Sequence, residues 1–366
     1  MELDKTLVKK AQEMIGQAKR IVILTHMAPD GDAMGSALAL WHYLKDRCAV
    51  RSETADAVRP AYGLLDIHVI VPNAFPAFFN WMPGAGEILV YEKEQQHCNQ
   101  LLAEADLFLC TDFNEPKRIG AVGEKMLLNP APKILWDHHL KEQRNNVQGT
   151  KVWDTEFSFP EACSSCEIVY NYLKSTEYRI QSTDLASCLY TGLMTDTGNF
   201  SFNSTSCDLY EIIADLIRAG AKKDEIYNAV FNQYSTDRVR LTGYALYRKM
   251  RIYPEAHLAL ITLSADELDQ FHYQVGDTEG LVNMPLQIAD VYYSVYMREE
   301  RPKPGTPKPR IRISFRSQGD RPVNVWANEV FHGGGHMNAS GGELFGSLNQ
   351  AMQLFEKTYK NYLKTE

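Results

Sequence analysis

Short apolar runs that end in a polar loop and lead into a helix-like segment recur along the first half of this chain. The first run, Arg20–Thr25 (RIVILT), is rich in β-branched residues. It gives way to the loop HMAPDGDAMGS, after which SALALWHYL has helical periodicity. Three further runs of the same kind are Ile67–Val71, Leu107–Thr111 and Lys133–Trp136. Strands that alternate with helices predict an α/β fold, in which a parallel sheet has helices on both faces.

The sequence pattern changes from mostly helical to mostly strand-like beyond about residue 250. Residues from Glu161 to about Met194 and those over 206–250 are mostly helical in pattern, and Phe200–Phe202 resembles a short strand. Later runs predict four strands and an exposed turn; the strands are Arg251–Tyr253, Leu258–Leu263, Ala289–Met297 and Arg310–Arg316, and the turn is Lys303–Pro309.

The length of the chain indicates more than one domain, because 366 residues exceed what a single core usually spans. We expect the boundary between about 205 and 240. On this interpretation residues 1–205 form one domain, 206–240 a helical linker and 241–366 a smaller α/β domain, with a cleft between the two domains.

Composition and charge exclude several classes of protein. Hydrophobic residues make up 45% of the chain and charged residues 23%, which is ordinary for a globular protein. The net charge of −8 excludes a generally basic nucleic-acid coat, although bound metals can reverse the sign locally. The sequence predicts neither a secretory signal nor a membrane span. The seven cysteines are scattered and include one CxxC pair, Cys163 and Cys166, so we expect a reduced, cytoplasmic protein.

Potential metal ligands follow three of the four predicted strands of the first domain and one predicted helix. The candidates are His26, Asp30, Asp32, Asp112, Asp137, His138, His139 and Asp196. Because ligands bind beyond the carboxyl ends of strands in open α/β sheets, we expect these side chains to converge at one edge.

Each candidate also has an ordinary structural interpretation. Asp32 could be a helix cap, and His138 could be a buried histidine whose partners are backbone groups. Crowding so many carboxylates would be costly without counter-cations, and divalent metals remove that cost. Mixed carboxylate and imidazole ligands suit manganese, zinc, iron or cobalt better than magnesium alone. A carboxylate that bridges two such ions is typical of hydrolases that act on phosphate esters.

The same residues occur in the order of a known family's motifs. The first domain contains His26–Ser36 (HMAPDGDAMGS), Asp112, Asp137–His139 (DHH) and Thr195–Phe200 (TDTGNF). These resemble the motifs of the DHH phosphoesterase superfamily. The stretches Arg312–Ser317 (RISFRS), Gly333–His336 (GGGH) and Ala339–Gly341 (ASG) resemble its DHH-associated C-terminal domain. The resemblance extends from about residue 20 to 345, and the size is most similar to the short nano-RNases and 3′-phosphoadenosine 5′-phosphate phosphatases.

The resemblance implies a role for each candidate ligand. His26 and Asp30 would hold the first metal, Asp32, His138 and Asp196 the second, and Asp112 would bridge the two. His139 would face the substrate phosphate, and Asp137 would orient the histidines. The catalytic set would be Asp112, Asp137, His138 and His139. The cofactors would be two divalent ions, with manganese favoured over magnesium or cobalt.

Substrate binding is expected from the second domain. Successive glycines at Gly333, Gly334 and Gly335 let a backbone approach an anion, and His336 adds a donor. Arg316 suits bidentate phosphate contact, and it lies in a basic stretch over residues 298–321. The resemblance implies that these residues, with His139, hold the substrate. One departure is that Met337–Ser340 reads MNAS where the family commonly has a lysine after GGGH.

The sequence therefore predicts a phosphoric ester hydrolase that acts on short single-stranded RNA or DNA or on 3′-phosphoadenosine 5′-phosphate. Cyclic dinucleotides, polyphosphate and pyrophosphate are alternative substrates within the same chemistry. An alternative of another class is a nucleotide-binding regulatory module without turnover. We expect no membrane partner, and a homodimer is left open.

Overall fold

The computed structural model describes residues 1–49, 65–140, 152–302 and 308–363 of the chain. The chain divides into two compact units, Met1–Gln233 and Tyr234–Glu366. The first unit contains, in chain order, α1 (Lys5–Gln17), β1 (Arg20–Leu24), α2 (Gly31–Ala49), β2 (Asp66–Val71), β3 (Ile88–Val90), α3 (Gln95–Glu104), β4 (Leu107–Thr111), α4 (Gly120–Leu128), β5 (Lys133–Asp137), β6 (Thr155–Ser158), α5 (Ser165–Ser175), α6 (Thr183–Asp196), α7 (Cys207–Arg218) and α8 (Lys223–Phe231). The second contains α9 (Thr236–Tyr244), β7 (Arg251–Tyr253), β8 (Leu258–Leu263), α10 (Ala265–Gln270), β9 (Tyr293–Glu300), β10 (Arg310–Ser317), α11 (Asn324–Phe331), β11 (Gly334–His336), β12 (Ala339–Phe345) and α12 (Leu348–Tyr362).

The sheet of the first unit has the order β3-β2-β1-β4-β5-β6, and all its neighbouring strands are parallel. Side chains alternate between two cores. Ile21 and Ile23 of β1 pack with α1, α2, α5 and α6, whereas Val22 and Leu24 pack with α3 and α4 on the opposite face. The predicted parallel sheet with helices on both faces is therefore confirmed, and β3 and β6 extend it beyond the four strands predicted.

The strand order reverses between β1 and β4. After β1 the chain moves outward to β2 and β3, and it then returns to the other side of β1 through α3. The loops that leave the carboxyl ends of β1 and β4 therefore diverge, and they leave a crevice where doubly wound sheets bind ligands. His26 follows β1 and Asp112 follows β4, so both lie at this point.

Helices α2 and α6 pack closely through glycine. A Cβ atom added at Gly35 of α2 would lie 2.5 Å from the carbonyl oxygen of Cys188 in α6. One added at Gly192 of α6 would lie 2.7 Å from the Asp32 Oδ1 atom. This close packing fixes the two helices that carry Asp32 and Asp196.

The expectation of a strand at Phe200–Phe202 was wrong, because this segment is a turn. Gly198, Asn199 and Phe200 have successive positive φ angles of 55°, 56° and 62°. The Thr197 hydroxyl oxygen also accepts the Phe200 N–H at 3.0 Å, which closes the chain on itself after α6. Left-handed backbone at three consecutive positions is incompatible with an extended strand.

The sheet of the second unit has the order β11-β12-β10-β9-β8-β7, with β8 and β9 parallel and the other neighbours antiparallel. Trp326 of α11 and Phe355 of α12 pack on one face. Leu241 of α9 and Leu268 of α10 lie in a second core that includes Ile261 of β8. The prediction of a smaller α/β region with its own sheet is confirmed.

One predicted strand of the second unit begins later than expected: the strand predicted at Ala289–Met297 begins at Tyr293. Residues 303–307 of the predicted turn Lys303–Pro309 lie outside the described part of the chain. Among the residues described, no helix is both long and apolar enough to cross a membrane.

Candidate metal centre and active site

The loop after β1 supplies two carboxylates with different partners. The Asp30 Oδ1 atom accepts the N–H groups of Asp32 and Ala33, each at 3.1 Å, so Asp30 caps the start of α2. Asp32, which sequence alone could have explained as a cap, is 1% exposed. Its carboxylate accepts the N–H groups of Ser165 and Cys166, at 2.6 and 2.9 Å. The N-terminus of α5 therefore stabilises the negative charge of Asp32.

Asp112 lies at the centre of the candidate ligands. Its Oδ2 atom is 3.1 Å from His26 Nε2, and its Oδ1 atom is 3.5 Å from His138 Nε2. The Ser165 hydroxyl donates to Oδ1 at 3.0 Å. Asp112 has a φ of 65°, a conformation that aspartate tolerates better than most residues and that is frequent at functional sites. The two oxygens of one carboxylate thus face two different histidines.

The two histidines that follow β5 have different surroundings. His138 is 4% exposed, and its Nε2 atom lies 3.3 Å from Asp196 Oδ2 and 3.9 Å from Asp32 Oδ2. Its Nδ1 atom lies 3.3 Å from the carbonyl oxygen of Ala162. The His139 Nδ1 atom lies 2.8 Å from Asp137 Oδ1, and the His139 N–H donates to Asp137 Oδ2. Asp137 thus orients His139, whereas a backbone carbonyl orients His138.

These contacts gather the candidates into groups of potential ligands. In each group the ligand atoms lie within 4.8 Å of one another, and the groups formed by described residues of the first unit alone are His26, Asp30 and Asp112; Asp32, His138 and Asp196; and Asp112, Asp137 and His139. The first two groups match the sets that the family resemblance implied for the two metals, and the 3.5 Å contact between Asp112 and His138 connects them.

The electrostatics of the cluster favour positive charge at its centre. Burial and the neighbouring Asp112 raise the pKa of Asp32, and the same two causes raise the pKa of Asp137 to about 7. Burial also acts to lower the pKa of His138, but Asp196, Asp112 and Asp32 outweigh it and raise that pKa well above its usual value. Carboxylates crowded in a poorly hydrated place thus favour any cation among them. Two divalent cations with oxygen and imidazole ligands meet that requirement, so the residues fit the metals that the sequence implied.

Sequence analysis missed two residues beside this centre. Ser165 binds both Asp112 and Asp32, and its signal was the Ser164–Ser165 pair at the start of a helical pattern. Arg118 lies on a short 3-10 helix, Pro116–Ile119, and its carbonyl oxygen accepts the N–H of Met27 at 2.9 Å. No pattern in the sequence distinguished Arg118 from a surface cation.

The predicted substrate-binding residues of the second unit form a row across its sheet. Arg316 of β10 is paired with Ala339 of β12, which is paired in turn with His336 of β11. The N–H of Gly333 is used within the fold, because it donates to the carbonyl oxygen of Ala327. A side chain at Gly333 would collide with the Gly341 carbonyl, so this glycine also allows β11 to approach β12.

The departure at Met337–Ser340 has a structural role. The Asn338 side-chain amide donates to Ser317 Oγ at 2.9 Å and to the Gly319 carbonyl oxygen at 2.8 Å. The Ser340 hydroxyl donates to the His336 carbonyl oxygen at 2.8 Å. Both residues therefore hold the turn between β11 and β12 in place beside His336.

Fold and ligand set together define a class of protein. A doubly wound parallel sheet whose strand ends gather aspartates and histidines into two adjoining groups is the arrangement of a metal-dependent phosphoesterase.

Comparisons with known proteins identify the family within that class. Residues 20–193 match the family described as "DHH family, N-terminal domain". The crystal structure of an exopolyphosphatase-related protein from Bacteroides fragilis superimposes with a TM-score of 0.85 and 39% identity, over 98% of this chain and 97% of that one. The chain belongs to the DHH family.

Two curated relatives extend over nearly the whole chain. Both are named bifunctional oligoribonuclease and PAP phosphatase NrnA. The Thermus thermophilus protein is 26% identical over 91% of this chain and 87% of its own length. The Bacillus subtilis protein is 24% identical over 89% of each.

The different surroundings of His138 and His139 lead to a prediction. His138→Ala should lower the metal content at one site, because this ring lies among Asp32, Asp112 and Asp196. His139→Ala should retain both metals and slow turnover, because its ring is held by Asp137. Metal content per chain, measured on both purified variants after equilibration with manganese, checks this. Equal metal loss in the two variants would contradict the distinction.

Proposed function

We propose that this phosphoesterase hydrolyses very short oligonucleotides, such as nano-RNA and dinucleotides, and 3′-phosphoadenosine 5′-phosphate. The observation that carries the proposal is the adjoining pair of ligand groups around Asp112. The names of the two bacterial relatives, oligoribonuclease and PAP phosphatase, support this substrate class.

The candidate ligands of the first unit would bind two cations. His26 and Asp30 would hold one cation, and Asp32, His138 and Asp196 the other, with Asp112 between them. Divalent cations held by these residues would activate water as the nucleophile and neutralise charge on the phosphate. Manganese is our first choice because it accepts both imidazole and carboxylate ligands, with magnesium and cobalt as alternatives.

His139, oriented by Asp137, would bind the substrate phosphate or protonate the leaving group. His139 Nδ1 lies 2.8 Å from Asp137 Oδ1, so this nitrogen would carry a proton that the carboxylate accepts. A protonated ring carries a second N–H at Nε2. We assign this N–H to a phosphate oxygen or to the leaving oxygen of the ester, as a general acid.

The second unit would hold the part of the substrate that does not react. Arg316 and His336 lie in register on the strands on either side of β12, and a guanidinium and an imidazole placed in this way suit a terminal phosphate. The N–H of Gly333 would not contribute to this contact, because it already donates to the carbonyl oxygen of Ala327.

A product assay tests the proposal. With manganese present, the enzyme is offered a labelled dinucleotide, 3′-phosphoadenosine 5′-phosphate, a cyclic dinucleotide and polyphosphate side by side. We expect mononucleotides from the dinucleotide and adenosine monophosphate from the second substrate. No hydrolysis of either compound would overturn the proposal.

The name of the Bacteroides fragilis relative favours a second candidate, an exopolyphosphatase. Release of phosphate from polyphosphate, at a rate above that of dinucleotide cleavage, would support it. Preferential opening of the cyclic dinucleotide would instead indicate a cyclic-dinucleotide phosphodiesterase.

Arg316→Ala provides a prediction about the second unit. If Arg316 binds a substrate phosphate, its loss should weaken transition-state binding of a dinucleotide by about 2–3 kcal/mol, as for a charge-assisted hydrogen bond. Hydrolysis of bis-p-nitrophenyl phosphate should change much less, because this compound has no second phosphate. The value of kcat/KM for both substrates checks this.

Arg310→Ala is the matched control, because Arg310 lies on the same strand and pairs with Glu343 and Glu300. It should leave both substrates nearly unaffected. An Arg316→Ala enzyme that is equally impaired on both substrates, or a wild type that prefers strands of about twenty nucleotides, would show that the second unit does not act in this way.

A further inference from the structure

The segment that follows Asp112 is fixed to both histidine-bearing loops of the metal centre. At one end, the Asn114 amide donates to the carbonyl oxygens of His139 and Leu140, each at 3.1 Å. At the other end, the carbonyl oxygen of Arg118 accepts the N–H of Met27, the residue after His26. Arg118 is therefore held beside the centre by contacts on two sides.

Arg118 is one of the cations whose side chain has no protein partner in the described part of the chain. It is half-buried, yet it forms no hydrogen bond or ion pair with any residue that the structure describes. Its neighbour Lys117 is more exposed and pairs with Glu115 at 2.5 Å. The donors of this half-buried guanidinium are therefore open to an anionic ligand, and their planar geometry matches the oxygens of a phosphate.

The guanidinium of Arg118 forms no ion pair with the described carboxylates of the centre, although backbone contacts hold its segment beside the loops that carry His26 and His139. Had its role been only to neutralise the aspartates, a direct ion pair with one of them would be the favourable arrangement. The N–H groups of the Arg118 guanidinium instead remain available to an anion beside the candidate metal ligands.

We propose that Arg118 is a catalytic residue that binds a non-bridging oxygen of the scissile phosphate. This rests on the proposed function. A planar guanidinium fits phosphate oxygens with two parallel hydrogen bonds, and it stabilises charge that develops on them during hydrolysis. Arg118 would then bind the scissile phosphate, whereas Arg316 is assigned to a phosphate that does not react.

Two substrates that share only the scissile phosphate distinguish the contact assigned to Arg118 from the contact assigned to Arg316. Arg118→Met and Arg118→Lys are compared with Lys117→Met, the adjacent exposed cation. With Arg118→Met, kcat/KM should fall by about tenfold to a hundredfold on both the dinucleotide and bis-p-nitrophenyl phosphate, because both contain the scissile phosphate. Arg118→Lys should recover only part of the loss, and Lys117→Met should match wild type. Metal content should be unchanged in all three variants.

Several outcomes would overturn the assignment. They are a loss confined to the dinucleotide, full recovery by lysine, unchanged activity of Arg118→Met, or loss of a metal from that variant. Binding of inorganic phosphate to the manganese-loaded protein, measured by calorimetry, separates this inference from the proposed function. If the wild type hydrolysed no ester but bound phosphate at least about tenfold more tightly than Arg118→Met, the proposed function would fail and the anion contact would stand.

Discussion

Asp112→Asn should reduce turnover by at least about a thousandfold, more than the loss of one hydrogen-bond donor to a transition state typically costs. The carboxylate has one oxygen 3.1 Å from His26 and the other 3.5 Å from His138, so it belongs to both sides of the centre. Asparagine keeps its shape and tolerates the φ of 65°, but it offers one weak ligand oxygen and no charge. Initial rates at saturating manganese measure the effect.

A thermal unfolding experiment gives a second readout that does not depend on turnover. Cations that bind only the folded state raise its stability, so the wild type should gain melting temperature as manganese is added. Asp112→Asn should gain less. Glu115→Gln is the control, because Glu115 lies on the same loop and pairs with Lys117 rather than with the centre. Near wild-type turnover by Asp112→Asn would show that Asp112 does not bridge two metals.

Sequence reasoning reached the first sheet because its evidence is local and repeated. Runs such as Arg20–Thr25 and Leu107–Thr111 are buried on both faces, so they have an unbroken apolar pattern, and each is followed by the polar loop that carries ligands. The family resemblance then added the order of the motifs. Even without it, the rule for carboxyl ends of parallel strands places His26 and Asp112 together.

The features that sequence missed depend on tertiary contacts. Ser165 is an ordinary helix-start serine until the N-terminus of α5 is placed against Asp32 and Asp112. Arg118 is one cation among many until its segment is fixed beside Met27. The wrong prediction at Phe200–Phe202 came from local residue preference. The aromatic residues of this segment favour a strand, whereas the backbone after α6 adopts left-handed φ angles.

Gly35 is a position at which packing between helices controls the candidate metal centre, and its substitution is the second variant for which we expect a large effect. An alanine at this position gains helix propensity of about 1 kcal/mol over glycine. Its Cβ atom, however, would lie 2.5 Å from the Cys188 carbonyl oxygen and 3.2 Å from the Gly192 nitrogen, both backbone atoms of α6. Neither can rotate away, so the helices must separate.

We therefore expect Gly35→Ala to lower the free energy of unfolding by about 1–3 kcal/mol, the usual cost of overpacking. It should also weaken manganese binding, because Asp32 on α2 and Asp196 on α6 belong to one ligand group and would move apart. Urea unfolding followed by fluorescence and a manganese titration measure the two effects.

Gly243→Ala is the matched control for that substitution. Gly243 lies within α9, and nothing is within 4 Å of the position that its Cβ would occupy. This variant should show the gain in helix propensity alone, with unchanged manganese affinity, so the difference between the two variants isolates the collision between α2 and α6. If Gly35→Ala were as stable as Gly243→Ala and bound manganese as the wild type does, close packing of these helices would not be what positions Asp32 and Asp196.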